Sequence, residues 1–132
     1  MKSIKISIPS IIENIKIIES FIDNARDKYA IDDDIYGNIM ISVTEGVTNA
    51  IIHGNRLDSS KKVHLELKLD DEQIEFTITD EGRGFDYAHL QDPTAPENLE
   101  KAGGRGIFII KHLADDVKFE DEGRKAVLTF YM

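Results

Sequence analysis

The chain has 132 residues, enough for one compact domain, and 41% of them are hydrophobic, which is enough for a proper core. The formal charge at pH 7 is −9 without a basic stripe, so nucleic acid and anionic membrane surfaces are not expected partners. The chain has no cysteine, no apolar run near the roughly 18 residues of a membrane span and no signal-peptide core at its start, which predicts a cytoplasmic protein.

The first half of the chain predicts one strand and two helices. Isoleucines alternate with polar residues over 4–8, and this predicts a strand that the following proline ends. Apolar residues at helical spacing predict a helix over about 11–29, with Ser10 as its N-cap. The three aspartates at 32–34 predict the start of a second helix that runs to about His53.

A hairpin and a long loop follow. Alternating apolar residues at 63–69 and 74–78 predict two strands, with the acidic residues 70–72 as their turn. Residues 81–104 contain two of the three prolines and four glycines, which predicts a long loop. Loops of this length inside a compact domain are usually functional lids or disordered insertions.

A helix and two strands complete the predicted elements. Apolar spacing predicts the helix from about Gly106 to Ala114, and alternation predicts strands around 117–119 and 127–131. The order of strand, two helices, hairpin, loop, helix and hairpin predicts an antiparallel-rich sheet with helices on one face.

The second helix carries a polar face. Glu45, Asn49 and His53 recur every four residues and therefore lie on one side of the helix. Such a face is most often solvated, and the alternative is that it is aimed at a ligand.

Two groups of glycines bound the long loop. Gly82 and Gly84 follow Asp80 at the end of a strand, where glycine lets the backbone approach a ligand closely. The GGRG sequence at 103–106 opens the third helix, whose free N–H groups could hold a phosphate, and a flexible hinge is the alternative for the same glycines.

The common catalytic and nucleotide motifs are missing. Neither glycine group fits GxGxxG, and the sequence contains no GxxxxGK[ST], GxSxG or HExxH. A Rossmann or P-loop fold is therefore not expected, and the four histidines are expected on the surface or in packing rather than on a metal.

Three segments in order resemble a known family. TEGVTNAIIHGN, DEGRGFD and GGRGIFIIKHLADDVKF look like the N, G1 and G2 boxes of the GHKL superfamily of ATP-binding proteins, and more narrowly those of the anti-sigma-factor serine/threonine kinases. The resemblance implies an α+β fold, a two-layer α/β sandwich of the Bergerat type. Its sheet would be mixed and mostly antiparallel, with helices on one face. Residues 1–132 would form a single domain, with an ATP lid at about 81–104.

The resemblance also implies roles for residues of the helix and the first strand end. Asn49 matches the asparagine that binds Mg²⁺ on the ATP phosphates, and Glu45 matches the glutamate that acts as general base. Asp80 matches the aspartate that accepts a hydrogen bond from the adenine amino group. His53 is expected to be structural or to support these residues.

The glycines match those that shape the lid and its phosphate contacts, namely Gly82, Gly84, Gly104 and Gly106. Some members carry an arginine just before the second glycine group, near the terminal phosphate, and this chain has Ala102 there. Lys101 and Arg105 are the candidates to replace that arginine.

The implied function is transfer of the γ-phosphoryl group of Mg·ATP to a serine or threonine of an anti-sigma-factor antagonist. The implied partners are this antagonist, a sigma factor bound in another state, and a second copy of the chain in a homodimer. Two alternatives stay open. One is a switch module whose nucleotide controls partner binding without phosphoryl transfer. The other is a detached histidine-kinase ATPase domain, disfavoured because no dimerisation helix with a phosphoacceptor histidine precedes the first strand.

Overall fold

Alternating apolar residues build a five-stranded sheet. The computed structural model describes residues 2–82 and 104–132. The described strands pair antiparallel in the order β1-β2-β3-β5-β4. Their bounds are β1 Lys2–Pro9, β2 Lys62–Leu69, β3 Gln73–Thr79, β4 Asp116–Glu120 and β5 Lys125–Tyr131. The predicted hairpins are confirmed, and the register places Leu65 opposite Ile78, and Phe76 opposite Leu128.

Three helices cover one face of this sheet. They are α1 Ile15–Tyr29, α2 Asp33–Asn49 and α3 Gly104–Leu113, and α2 packs between the other two. The predicted cap of α2 is confirmed, because the Asp32 carboxylate accepts a hydrogen bond from the N–H of Asp34 at 3.0 Å. None of the helices in the described residues is long and apolar enough to cross a bilayer.

One predicted helix cap was wrong. A 3₁₀ turn at Ile12–Asn14 precedes α1, and Ser10 does not cap it. Ser10 is instead buried, and its hydroxyl donates to the carbonyl of Lys61 at 2.8 Å. The regular part of α2 stops at Asn49 and continues as a π-helical turn to Gly54, so the predicted end near His53 is confirmed. The third helix begins at Gly104, within two residues of its predicted start.

The core lies between the helices and the sheet. Phe76 and Phe130 meet edge to face on neighbouring strands, with ring centroids 6.2 Å apart. Buried side chains of all three helices join them, among them Ile22, Val43 and Ile110. The predicted α+β sandwich with helices on one face is therefore confirmed. The prediction of a mixed sheet was wrong for the described strands, because all four of their pairings are antiparallel.

Candidate functional site

A cleft opens where the C-terminal half of α2 faces the end of β3. Its volume is about 270 Å³. The lining is mainly apolar, and Asn49 and Asp80 are among its polar residues. The apolar side chains are Ala50, Ile78, Ile107, Ile110, Phe119 and Ala126. A mostly apolar cleft with a few convergent polar groups is typical of small-molecule sites.

Asp80 is held in place by backbone groups. Its N–H donates to the carbonyl of Arg124 at 2.9 Å, and its Oδ1 accepts from the N–H of Gly82 at 2.8 Å. The carboxyl is half-buried, and this burial raises the pKa of Asp80 above its ordinary value, against the lowering effect of the Gly82 hydrogen bond. The side chain is thus a partly desolvated acceptor fixed at the edge of an apolar cleft.

A π-helical turn brings the backbone of Gly54 against this carboxylate. The turn spans Ala50–Gly54, and its signature is the hydrogen bond from the N–H of Asn55 to the carbonyl of Ala50 at 2.8 Å. A Cβ on Gly54 would lie 2.4 Å from an Asp80 carboxylate oxygen, and one on Gly82 would lie 1.8 Å from the Gly54 carbonyl oxygen. The two segments therefore fit together only because each presents a glycine at the contact.

The side chains of Glu45 and Asn49, both on α2, lie against the first turn of α3. A Cβ on Gly106 would come 2.9 Å from Asn49 Nδ2 and 3.2 Å from Glu45 Oε2. The helix face predicted from the sequence therefore does meet Gly106, in the first turn of the third helix. A carboxylate, an amide and a helix N-terminus, which favours negative charge, come together there.

Several predicted site residues lie outside the described part of the chain. Gly84, Lys101 and Ala102 belong to this group, as does the predicted lid apart from its ends. Gly104 is the first residue of α3, and Arg105 follows it in the same helix. His53, expected to be structural, lines the cleft and is exposed.

No ready-made metal cage is found in the described residues: no three His, Asp or Glu side chains gather there in a way that could hold an ion. The residues nevertheless fit Mg²⁺ bound together with phosphates. Mg²⁺ usually takes only one or two protein oxygens and completes its shell with phosphate and water, and the Asn49 amide oxygen is the kind of oxygen donor that would suit it.

Comparison with known proteins identifies the family. A family model described as a histidine kinase-like ATPase domain matches residues 8–132. The chain belongs to the histidine kinase-like ATPase domain family. The GHKL resemblance read from the three motifs is thereby confirmed.

Within this family, the chain is similar to proteins named serine-protein kinase and anti-sigma factor. The serine-protein kinase RsbW of Listeria innocua is 30% identical over 102 residues, which are 72% of this chain and 65% of the relative. The anti-sigma F factor of Oceanobacillus iheyensis is 42% identical over 79 residues, which are 58% of this chain and 53% of the relative. The chain thus spans less than two thirds of the length of these two relatives.

A solved structure shares the fold. The crystal structure of the RsbU and RsbW domains of a Mycobacterium tuberculosis protein matches with a TM-score of 0.68 at 16% sequence identity. The match covers 99% of this chain and 32% of the solved one.

This histidine kinase-like ATPase domain has site residues that the sequence reasoning missed. Gly54 is one of them, and its contact with Asp80 depends on the π-helical turn. Gly123 and Arg124 reach the cleft from the β4–β5 connection, where Asp121, Glu122 and Gly123 have positive φ values of 50°, 56° and 87°. Only the glycine gave any sequence signal for such a backbone.

Proposed function

We propose that the chain binds ATP in this cleft and transfers its γ-phosphoryl group to a serine or threonine of an anti-sigma-factor antagonist protein. The observation that carries the proposal is the placement of Asp80 and Asn49 in one cleft, with the Glu45 carboxylate beside Asn49 at Gly106. Membership of an ATPase family and likeness to relatives named serine-protein kinase RsbW and anti-sigma F factor support it.

The apolar part of the cleft takes the adenine ring. Ile78, Ile107 and Ile110 offer apolar surface, and the Asp80 carboxylate accepts a hydrogen bond from the adenine amino group. Guanine has a carbonyl at that position, which would face the carboxylate with no proton between them. A site built around such a bond discriminates strongly against a base that lacks the donor.

The other end of the cleft takes the phosphates. Glu45 accepts the proton of the attacking serine or threonine hydroxyl. The oxygen of that hydroxyl bonds to the γ-phosphorus, and the bond from this phosphorus to the bridging oxygen breaks, so that ADP leaves. Asn49 would hold Mg²⁺, which when bound neutralises charge on the phosphates. The glycines at 82, 84, 104 and 106 and the Arg105 cation are assigned to lid shape and phosphate contacts.

The proposal also covers the compartment, the oligomeric state and the partners of the chain. The chain acts in the cytoplasm as one domain, residues 1–132, with a lid at about 81–104. It forms a homodimer, and it holds a sigma factor when it is not engaged with the antagonist. The relatives' names support an antagonist and a sigma factor as partners.

A radiolabel experiment tests the proposal. The chain is mixed with Mg²⁺, ATP labelled at the γ-position, and the antagonist domain encoded nearest to its gene. We expect label on the antagonist, and a rate about 10²- to 10⁴-fold lower for Glu45→Gln, because the amide cannot take the proton. ADP affinity should stay within about twofold, since Glu45 is assigned no contact with the base.

The matched control is Glu19→Gln, the same change at an exposed position of α1. Its rate should equal that of the unmodified chain. Tight ATP binding without label on the antagonist would replace the kinase by the nucleotide-controlled switch module. Failure to bind ATP or ADP at all would overturn both.

A further inference from the structure

A buried asparagine lies one residue beyond the π-helical turn. Asn55 is 1% exposed, and its side chain joins three separate segments of the chain. Its Nδ2 donates to Ser10 Oγ at 2.7 Å and to the carbonyl of Lys62 at 2.9 Å. Its Oδ1 accepts from the N–H of Glu81 at 2.8 Å. Both amide protons and the amide oxygen are therefore used.

The orientation of this amide is fixed by its partners. The Lys62 carbonyl can only accept and the Glu81 N–H can only donate, so Nδ2 must face the former and Oδ1 the latter. Among side chains of this size, a carboxylate would lack the two donors and an aliphatic group would lack all three bonds. The position is therefore specific for asparagine.

The bond to Glu81 acts directly on Asp80. The N–H of Glu81 belongs to the peptide group that follows Asp80, so holding it fixes the backbone rotation on the C-terminal side of Asp80. The N–H of Asp80 is held separately by the Arg124 carbonyl. The Glu81 carboxylate adds a second anchor, because it accepts from the N–H of Lys62 at 2.8 Å and lies 3.2 Å from His64 Nε2.

We propose that Asn55 is a positioning residue that sets the base selectivity of the cleft, by holding the peptide between Asp80 and Glu81 so that the Asp80 carboxylate faces the adenine amino group. The proposal rests on the proposed function, in which Asp80 reads adenine. Asn55 itself lies outside the cleft lining.

The test compares ADP with inosine diphosphate, which differs from ADP in carrying a carbonyl in place of the adenine amino group. Dissociation constants are measured by calorimetry for the full chain and for Asn55→Ala. We expect the unmodified chain to prefer ADP at least tenfold. In Asn55→Ala, ADP binding should weaken about fivefold, the worth of one hydrogen bond, while inosine diphosphate binding changes less than twofold.

Ser10→Ala is the matched control. It removes one partner of the Asn55 amide and leaves the bond to Glu81 in place. A purely structural role predicts that both variants lose thermal stability and keep the same ratio of the two dissociation constants. Our proposal predicts that only Asn55→Ala lowers this ratio, and an unchanged ratio in folded Asn55→Ala would overturn it.

Amide hydrogen exchange of the unmodified chain keeps the proposal testable if Asn55→Ala does not fold. The Glu81 amide should be protected as strongly as the amides of the neighbouring strands, and exchange at the rate of an open loop would overturn the proposal. If the unmodified chain binds neither nucleotide, the proposed function fails. If it prefers ADP but the Asn55 variant keeps that preference, only the role of Asn55 fails.

Discussion

The two ends of the cleft are built from different parts of the chain. At the end proposed to take the base, formed by Gly54, Asp80 and Gly82, two backbone segments and a carboxylate are in direct contact: a Cβ on Gly82 would lie 1.8 Å from the Gly54 carbonyl oxygen. At the phosphate end, a Cβ on Gly106 would meet only side-chain atoms, the nearest 2.9 Å away on Asn49. Backbone in a packed fold shifts at high cost, whereas side chains change rotamer readily. The base end is therefore preset, and the phosphate end can adapt to its ligand.

Among the variants that test this difference between the two ends of the cleft, Gly82→Ala should have the largest effect on stability and ADP affinity. The new methyl group has no room beside the Gly54 backbone, so one of the two segments must move. We expect the free energy of unfolding to fall by about 2 kcal/mol and ADP affinity to fall at least about tenfold. Urea unfolding and calorimetry measure the two.

Gly37→Ala is the matched control for the glycine series. No atom lies within 4 Å of a Cβ at this position of α2, so the change should raise stability by about 0.5–1 kcal/mol through helix propensity. If Gly82→Ala behaves like Gly37→Ala, the base end is not preset.

Asp80→Asn tests the carboxylate itself. The amide keeps an oxygen for the N–H of Gly82 but loses the charge that would strengthen the proposed bond to the adenine amino group. We expect ADP affinity to fall by about 1–3 kcal/mol, with GDP binding no weaker than before. Calorimetry with both nucleotides measures this, and unchanged ADP affinity would remove Asp80 from the site.

Gly106→Ala should have a smaller effect, confined to the phosphate end. The Asn49 amide can move away from the new methyl group, so stability should change by less than about 1 kcal/mol. ADP affinity without Mg²⁺ should stay the same, while the extra affinity gained by adding Mg²⁺ should drop about fivefold. An equal loss with and without Mg²⁺ would place Gly106 at the base end instead.

The smallest expected effect is the pH dependence of stability at Asp80. Burial raises the pKa of this carboxyl in the folded chain. The contribution of Asp80 to the free energy of unfolding is therefore fully present at a pH below the unfolded-chain pKa near 3.9, and it is lost as the pH rises through the folded-chain pKa. Asp80→Asn without nucleotide should therefore be slightly more stable than the unmodified chain at pH 7. The difference should shrink as the pH falls towards 4 in urea titrations, and a difference that grows would contradict the burial argument.

The fold could be predicted from the sequence because its signals are periodic. The alternation in β2 and β3 and the helical spacing in α1 and α2 identify each element, and the order of elements limits the topology. The prediction for Ser10 failed for a physical reason. A serine before a helix is usually its N-cap, but here the hydroxyl of Ser10 donates a tertiary hydrogen bond to the carbonyl of Lys61.

The candidate site could be predicted only in part. Glu45 and Asn49 share a helix face, and the motif order connects that face with Asp80, so local spacing and resemblance suffice for these three. Gly54 and Asn55 act across 26 residues of chain to Asp80 and Glu81, and no local pattern encodes such a contact. The sequence also does not predict the positive φ values of Asp121 and Glu122, since most aspartates and glutamates have negative φ.

The π-helical turn Ala50–Gly54 holds one residue more than a regular α-helical turn, because the N–H of Asn55 bonds to the carbonyl five residues back. If one residue within this turn were deleted and the chain closed as a regular α-helix, Gly54 and Asn55 would keep nearly the same direction, facing Asp80 and Glu81. Homologous sequences aligned to this chain should accordingly accept a one-residue gap between residues 50 and 53, but not a change of direction at residues 54 and 55.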